Sequence, residues 1–321
     1  MSAREQLLEE LRPVSFRIAY RMLGSVTEAE DVVQEALIRV HQTLDRGEDL
    51  CSPQAFVATV TTRLAINELR SARVRRENYI GEWLPEPIVT DSSADPVREA
   101  EMADSLSISM LVLLESLSPE QRAVFLLHDV FDYPYAEIAT IVSKSESNVR
   151  QLATRARRHV EDRRPRFQTT SERQQELATR FFQAARHGDL AALETLLAAD
   201  VELTGDGGGK VPALAQSLYG RSRVAQTLIE WSQFGPARRP EVSFRAVQVN
   251  GAPGAMLLDG EQRLLSVVAL EILDGQVTRI SSIVNPDKLA HLGPVGDFAA
   301  LVTVPDAGWQ DLAGDAQEGS I

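Results

Sequence analysis

Apolar residues recur at helical spacing through the first half of the chain and alternate with polar ones through much of the second, with the change of period falling near residue 170. Between Ala3 and Leu23, the residues Leu7, Leu8, Leu11, Phe16, Ala19, Tyr20 and Leu23 share one side of a helix. Pro13 is expected to kink or restart that helix, because proline has no amide proton to give the preceding turn. Thr27-Glu28-Ala29-Glu30 reads as a capping box, after which Ala29, Val32, Val33, Ala36, Leu37, Val40 and Leu44 keep helical period. Ser52-Pro53 starts a third helix with Phe56, Val60, Leu64 and Leu69 inside.

The pattern stops at Gly81. Trp83-Leu84-Pro85-Glu86-Pro87 and the run from Thr90 to Pro96 cannot sustain a helix, so residues 79 to 100 read as a linker. A bare linker has no need of Trp-Leu between prolines, so that pair is expected to dock on a neighbouring surface. Helical period returns from Ala103 to Ser116. Ser118-Pro119-Glu120-Gln121 then forms a capping box with proline at the first helical position, opening a helix expected to run through Val130.

From Pro134 to Arg158 the sequence spells two short helices around a tight turn. Ile138, Ala139 and Val142 form an apolar stripe, Ser143-Lys144 makes the turn, and Ser145 can cap a second helix whose Val149 and Leu152 point inward. The outer face carries Glu146, Ser147, Asn148, Arg150 and Gln151, types that hydrogen-bond base edges, with Arg155, Arg157 and Arg158 where phosphates would lie. This is the layout of a helix-turn-helix DNA reader, the alternative being an amphipathic helix with a solvated charged face.

After Ser171 the texture changes. Arg173 to His187 and Leu190 to Leu197 are helical, and a further helix is expected at Ser222 to Gln233. Alternation marks strands at 201–203, 242–249, 264–273 and 277–284, with Asp274-Gly275 as a hairpin turn. Helices first and an antiparallel sheet afterwards describe an α+β domain. The tail from Gly293, with Phe298 and Trp309, is expected to be loosely ordered.

Charge refines this picture. The 321-residue chain has a net charge of −13, which argues against nucleic acid until the distribution is examined. Thr61 to Arg76 holds five arginines (63, 70, 73, 75 and 76) against Glu68, and Lys144 to Arg164 holds seven bases against three acids, so each island is +4. Two basic islands in an acidic chain suggest a protein that grips DNA at two places but needs a larger partner. The one cysteine, Cys51, excludes an intrachain disulfide, and the charged first residues exclude a signal peptide. With no apolar run of membrane-span length, a soluble, cytoplasmic protein with no membrane partner is expected.

These modules make the first 165 residues resemble the extracytoplasmic-function (ECF) sigma factors of bacterial RNA polymerase. AEDVVQEALIRV at 29–40 looks like the helix that holds the polymerase clamp, and TRLAINELRSARVRRE at 62–77 like the region that opens and reads the minus-10 element. The stretch from Leu117 to Arg158 is similar to the minus-35 reader. WLPEP at 83–87, DGGGK at 206–210 and NPDKL at 285–289 resemble the sigma-J-like branch with a SnoaL-like, NTF2-fold C-terminal domain.

The resemblance implies two all-α sigma domains plus an α+β NTF2/SnoaL-like domain, divided as 1–80, a linker at 81–102, 103–165, 171–292 and a tail at 293–321. It implies RNA polymerase core and promoter DNA as partners, a monomer when free, no metal or cofactor, and regulation in cis by the C-terminal domain. By residue, it assigns polymerase contact to Asp31, Gln34, Glu35 and Arg39, and the minus-10 element to Arg63, Asn67, Arg70, Arg73, Arg75 and Arg76. The minus-35 element falls to Ser145, Glu146, Ser147, Asn148, Arg150, Gln151, Arg155, Arg157 and Arg158. Interdomain regulation falls to Trp83, Leu84, Pro85, Glu86, Pro87, Asp206, Gly207, Gly208, Gly209, Lys210, Asn285, Pro286, Asp287, Lys288 and Leu289.

Two other classes compete with this reading. SnoaL-like folds include enzymes that work with a carboxylate or a His-Asp pair in a cavity, but His187 reads as a helix-end cap, His291 lies beyond the last strand, and Asp206 and Asp259 fall in glycine-rich turns. Such a cavity can still take a small-molecule effector. Asp206 to Lys210 lacks the spacing of a phosphate-binding GxxxxGK loop, so nucleotide hydrolysis is rejected. A dimeric operator-binding regulator would leave the island at Arg63 to Arg76 without purpose.

Overall fold

The computed structural model describes residues 3–48, 50–90, 106–161, 171–232, 239 and 242–302, with backbone alone at Ala3, 72–77, Glu161 and Ser171. The chain forms two compact units, one made of Met1–Asn78 and Ser109–Arg164, the other of Tyr79–Ile108 and Pro165–Ile321. No described helix is long and apolar enough to cross a membrane.

The first unit is helical. α1 (Ala3–Leu23) continues through Pro13, α2 spans Val26–Asp45 and α3 spans Pro53–Glu77. Leu11, Ala36, Val40 and Val57 close a common core between these three helices. Ser25, not Thr27, caps α2: its hydroxyl accepts the Glu28 amide, so the cap lies two residues earlier than the sequence pattern suggested and Thr27 lies inside the helix. α4 (Ile108–Glu115) and α5 (Pro119–Phe125) follow, the latter opened by the expected capping box of Ser118 and Gln121. The expected helix through Val130 ends as α at Phe125 and continues as a wider π-turn over Leu126–Val130. α6 (Tyr135–Val142) and α7 (Glu146–Glu161) complete the unit. Ile138 and Ile141 of α6 pack with Val149 and Ala153 of α7 on Val124 and Leu127.

The turn between α6 and α7 places Ser143 at φ +54°, the left-handed conformation that ends a helix, and Ser145 accepts the Asn148 amide. These two features fix the angle at which α7 leaves α6.

The second unit is α+β. α8 (Ser171–His187), α9 (Leu190–Leu196) and α10 (Arg221–Ser232) pack on a seven-stranded sheet. Its strands are β1 (Val89–Thr90), β2 (Leu197–Asp206), β3 (Leu218–Tyr219), β4 (Ser243–Val249), β5 (Ala252–Leu258), β6 (Leu264–Leu273) and β7 (Gln276–Ile283), in the order β1-β4-β5-β6-β7-β2-β3. Every pairing is antiparallel except β2 with β7. Asp274 and Gly275 both take positive φ, as the β6–β7 hairpin requires. Short α11 (Pro286–Leu289) follows β7, and residues 298–302 form α12 (Phe298–Val302) on the core. The part of the tail from 293 to 302 is therefore packed, whereas Trp309 lies outside the described residues.

Two features of this sheet escape the sequence pattern. β5, APGAMLL, is buried at almost every position, so it shows no alternation, and Pro253-Gly254 reads like a break. Gly254 is required there, because a Cβ would meet the Val268 carbonyl at 2.4 Å. β1 comes from the expected linker: Val89 pairs with Val249 and Thr90 with Gln248, making the segment an edge strand of the second unit.

Candidate functional site

In the second unit, the residues of the three pentapeptides meet around one lysine. Asp206 ends β2 and is fully buried. Its Oδ2 accepts from the Lys288 ammonium at 2.6 Å and from the Leu84 amide at 2.8 Å, while its Oδ1 accepts from the Tyr79 hydroxyl at 2.5 Å. Lys288 is 7% exposed and also donates to the Leu84 carbonyl. Its Nζ lies 4.3 Å from the Trp83 ring centroid and 4.8 Å from that of Tyr79. A buried ammonium costs several kcal/mol to desolvate and is tolerated only when paired and hydrogen-bonded. Carboxylate, carbonyl and two ring faces satisfy that condition here. Asp206 is thus not a turn residue with a local structural role, as its glycine-rich neighbourhood suggested, but the anchor of a segment more than a hundred residues away.

The rest of the grip follows from close packing. Asn285 caps α11 through the Asp287 amide, and its Nδ2 donates to the Tyr79 hydroxyl at 2.8 Å. Burial first, then the hydrogen bond and charge of Asp206, push the Tyr79 phenol well above its ordinary range, so it stays a donor. The glycines are there for approach. A Cβ on Gly208 would lie 2.2 Å from Asn285 Nδ2 and one on Gly209 2.9 Å from Ile80 Cδ1, and both take positive φ. A Cβ on Gly207 would meet the Val211 carbonyl at 2.4 Å. Lys210 pairs with Asp287 at the exposed rim.

Leu84, Pro85, Glu86 and Pro87 are buried. The His291 Nε2 donates to the Pro87 carbonyl at 2.9 Å, and its Nδ1 lies 4.0 Å from Glu86. Beyond them, Asn250 accepts the Ile88 amide on its side chain at 2.9 Å and gives its own amide to the Ile88 carbonyl at 2.8 Å. Pro286 and Leu289 shape α11, Leu289 being fully buried. Tyr79, Ile80 and Asn250 carry no mark in the pattern read from the sequence, and His291, which there only lies beyond the last strand, holds the Pro87 carbonyl. Asn250-Gly251 is a two-residue hairpin turn that a strict reading would have marked.

In the first unit the two basic helices differ. On α7, Ser145, Glu146, Ser147, Asn148, Arg150, Gln151, Arg155 and Arg158 are all exposed. Arg150 pairs with Glu146 at 2.5 Å and lies 4.7 Å from the Tyr135 ring centroid, and Arg157 pairs with Asp129 at 2.7 Å.

On α3, Arg63 donates to the Ile141 carbonyl at 2.8 Å, the Thr140 carbonyl at 2.9 Å and the Ser143 hydroxyl at 3.3 Å. It therefore caps the C-terminus of α6, where unpaired carbonyls and the helix dipole favour a cation. Arg70 pairs with Glu120 at 2.6 Å and lies 3.5 Å from Asn67 Oδ1. The side chains of Arg73, Arg75 and Arg76 lie outside the described residues.

A reciprocal contact runs the other way. Arg122 of α5, 1% exposed, donates to the Arg21 carbonyl at the end of α1 at 3.0 and 3.2 Å and pairs with Glu115. Burial pulls its guanidinium below the ordinary arginine range. No sequence signal marked this residue, since arginine in a capped helix ordinarily faces water.

On α2, Asp31, Gln34 and Arg39 are exposed, Glu35 is half-buried and bonds Arg39 at 2.8 Å, and Ile38 among them is 43% exposed. Among the described residues no group of His, Cys, Asp and Glu is placed to hold a metal.

Comparison with known proteins agrees with these helices. A model of sigma-70 region 2 matches residues 7–75, and one of sigma-70, region 4 matches 107–160. The ECF RNA polymerase sigma factor SigJ of Mycobacterium tuberculosis is 37% identical over 292 residues, covering 87% of this chain and 91% of that protein. This chain belongs to the ECF sigma factors. The probable ECF sigma factor SigI of the same species is 32% identical over 278 residues, covering 86% of this chain and 91% of its own. The crystal structure of M. tuberculosis SigJ matches with a TM-score of 0.71 at 34% identity over 88% of this chain and 96% of that one. The sigma factor therefore has region-2 and region-4 helices followed by an α+β domain, the fold class expected from the resemblance.

Proposed function

We propose that this sigma factor brings RNA polymerase core to specific promoters from the cytoplasm, and that its C-terminal domain regulates it in cis through residues 79–90. In this reading α2 offers Asp31, Gln34, Glu35 and Arg39 to the polymerase. α7 lies in the major groove of the minus-35 element with Asn148, Arg150 and Gln151 at base edges and Arg155 and Arg158 at phosphates. α3 follows the opened minus-10 strand, where cationic side chains track the backbone and bases are received in pockets. Tethering both readers to one polymerase raises their effective concentration at the promoter, so neither island needs high affinity by itself.

The observation that carries the regulatory part is the buried Asp206–Lys288 pair, whose partners include Tyr79, Trp83 and Leu84. A buried ion pair is a poor source of stability compared with apolar packing. Its use against the segment between the two sigma regions therefore favours a role in holding that segment. Run-off transcription with core polymerase tests both parts. Full-length protein is expected to initiate only with core, and Trp83→Ala and Gly208→Ala, folded by circular dichroism, are expected to change output at least threefold. Absence of core-dependent initiation, also by a truncation near Phe167, overturns the sigma reading, whereas unchanged output from both variants overturns regulation in cis.

A further inference from the structure

Between the sheet and α8, α10 and α12, the second unit encloses a cavity of about 120 Å³. Its wall is dominated by Phe181, Phe182, Trp231, Phe244, Leu257 and Phe298. The polar side-chain groups in the lining are serine hydroxyls, the Trp231 indole N–H and Arg186, which is exposed at the mouth, and among the described lining residues there is no carboxylate and no imidazole. Such a wall favours an uncharged occupant, because a charge would lose its hydration without finding a partner. Volume sets the size. An apolar cavity of roughly 150 Å³ stays dry and takes benzene, whereas drug-sized ligands need ~300 Å³ or more.

The position of the cavity gives it a consequence. Gly205 lines it, and the next residue is Asp206; Val284 lines it, and the next is Asn285. Successive residues of a strand face opposite ways, so the end of β2 carries the cavity wall at Gly205 and the grip on Tyr79 and Leu84 at Asp206, while Val284 and Asn285, which follow directly on β7, put a wall residue beside the one that bonds Tyr79. Pro212, Ala213 and Leu214, also in the wall, follow directly on the loop whose Gly207 packs against Val211 and Ala213. The Val284 and Asn285 amides both donate to the Asp206 carbonyl at 2.9 Å, tying the two segments together. A close-packed wall transmits displacement instead of absorbing it.

We infer that this cavity is a binding site for an uncharged apolar molecule of about one aromatic ring, and that its occupancy alters how firmly Asp206 and Asn285 hold the segment at Tyr79–Leu84. The consequence for transcription rests on the reading of the C-terminal domain as a regulator. Binding and grip are measured on the free full-length chain without polymerase, so their failure is distinct from a failure of that reading.

The probe is fluorobenzene, followed by fluorine NMR on the full chain, with 4-fluorobenzoate as its charged counterpart. Saturable binding of fluorobenzene, at least tenfold tighter than of 4-fluorobenzoate, is expected. It is expected to weaken at least tenfold in Ala185→Phe and in Leu214→Trp, two half-buried wall positions on a helix and a loop, each checked for an unchanged melting profile. At saturation, hydrogen exchange of the Leu84 amide, which donates to Asp206, is expected to change at least threefold, and that of the Ile88 amide, held by the distant Asn250, to stay constant. No saturable binding, equal affinity for the charged probe, or full binding in whichever filled variant folds overturns the site. Bound probe with unchanged Leu84 exchange overturns the coupling.

Discussion

The two basic helices of the first unit carry similar charge and use it differently. The outer face of α7 is exposed from Ser145 to Arg158 apart from the half-buried Arg157, and its ion pairs, Arg150 with Glu146 and Arg157 with Asp129, stay within the region-4 segment. The two α3 arginines whose side chains are described are both engaged within the chain, Arg63 on the end of α6 and Arg70 on Glu120. Net charge marks both as nucleic-acid surfaces, but only geometry separates a reader that is free from one that is held. If α3 follows the minus-10 strand as proposed, Arg63 must exchange two helix carbonyls for phosphates. Region 4 must then leave region 2 before the promoter opens.

The largest effect expected on this contrast comes from Arg122, the buried half of the reciprocal contact. Arg122→Met removes the donor to the Arg21 carbonyl and leaves Glu115 without its guanidinium. Breaking one partner of a buried charged pair costs about 3 kcal/mol or more. Urea denaturation is expected to show that loss, together with faster hydrogen exchange over α3, while α7 keeps its exchange rates. Equal acceleration in both helices would erase the distinction between a held and a free reader.

A smaller effect sharpens the other side. Asn148→Ala and Arg150→Ala remove the donors proposed to meet base edges and are expected to cost roughly 1–3 kcal/mol each at the minus-35 element, relaxing sequence preference. Arg150 stands toward the lower end, since it already pairs with Glu146. Arg155→Gln is expected to weaken all sequences alike and lower the salt slope by about 1. Competition binding of the polymerase complex to matched and mismatched duplexes separates the two classes; a uniform loss from Asn148→Ala would remove it from base reading.

What could be read in advance follows from how local each signal is. The turn of the DNA reader was legible because Ser145, the apolar stripe and the basic end lie within one short stretch. The WLPEP pair announced a docking site because its apolar side chains had no use in a free linker. What stayed hidden depends on distant partners. Nothing near Arg122 says that a helix ends beside it in space, and the glycines after Asp206 conceal how far the strand read at 201–203 continues. β5 was lost for the opposite reason, since burial on both faces removes the alternation by which strands are recognised. Ser25 is masked as a cap because Thr27 offers the same Ser/Thr-x-x-Glu pattern two residues later.

The smallest expected effect concerns the Arg70–Glu120 pair, the outer contact between α3 and the region-4 helices. Burial alone would raise the Glu120 carboxyl, but hydrogen bonds from Arg70 and from its own backbone amide outweigh it and hold the group below the ordinary carboxylate range. A carboxylate whose folded value is depressed contributes stability that is fully present above its unfolded value and is lost as pH falls through the folded one. Arg70 is 58% exposed, so solvent screening limits the pair to ~1 kcal/mol or less. Between pH 6 and pH 3.5 the wild-type chain is therefore expected to lose slightly more denaturation free energy than Glu120→Gln, with the difference shrinking in high salt. The same substitution is expected to leave Arg63 on its carbonyls and α3 still held. Release of α3 by Glu120→Gln alone would move the latch from the two helix-capping arginines to a surface ion pair, and the buried contact at Arg122 would then be packing without control.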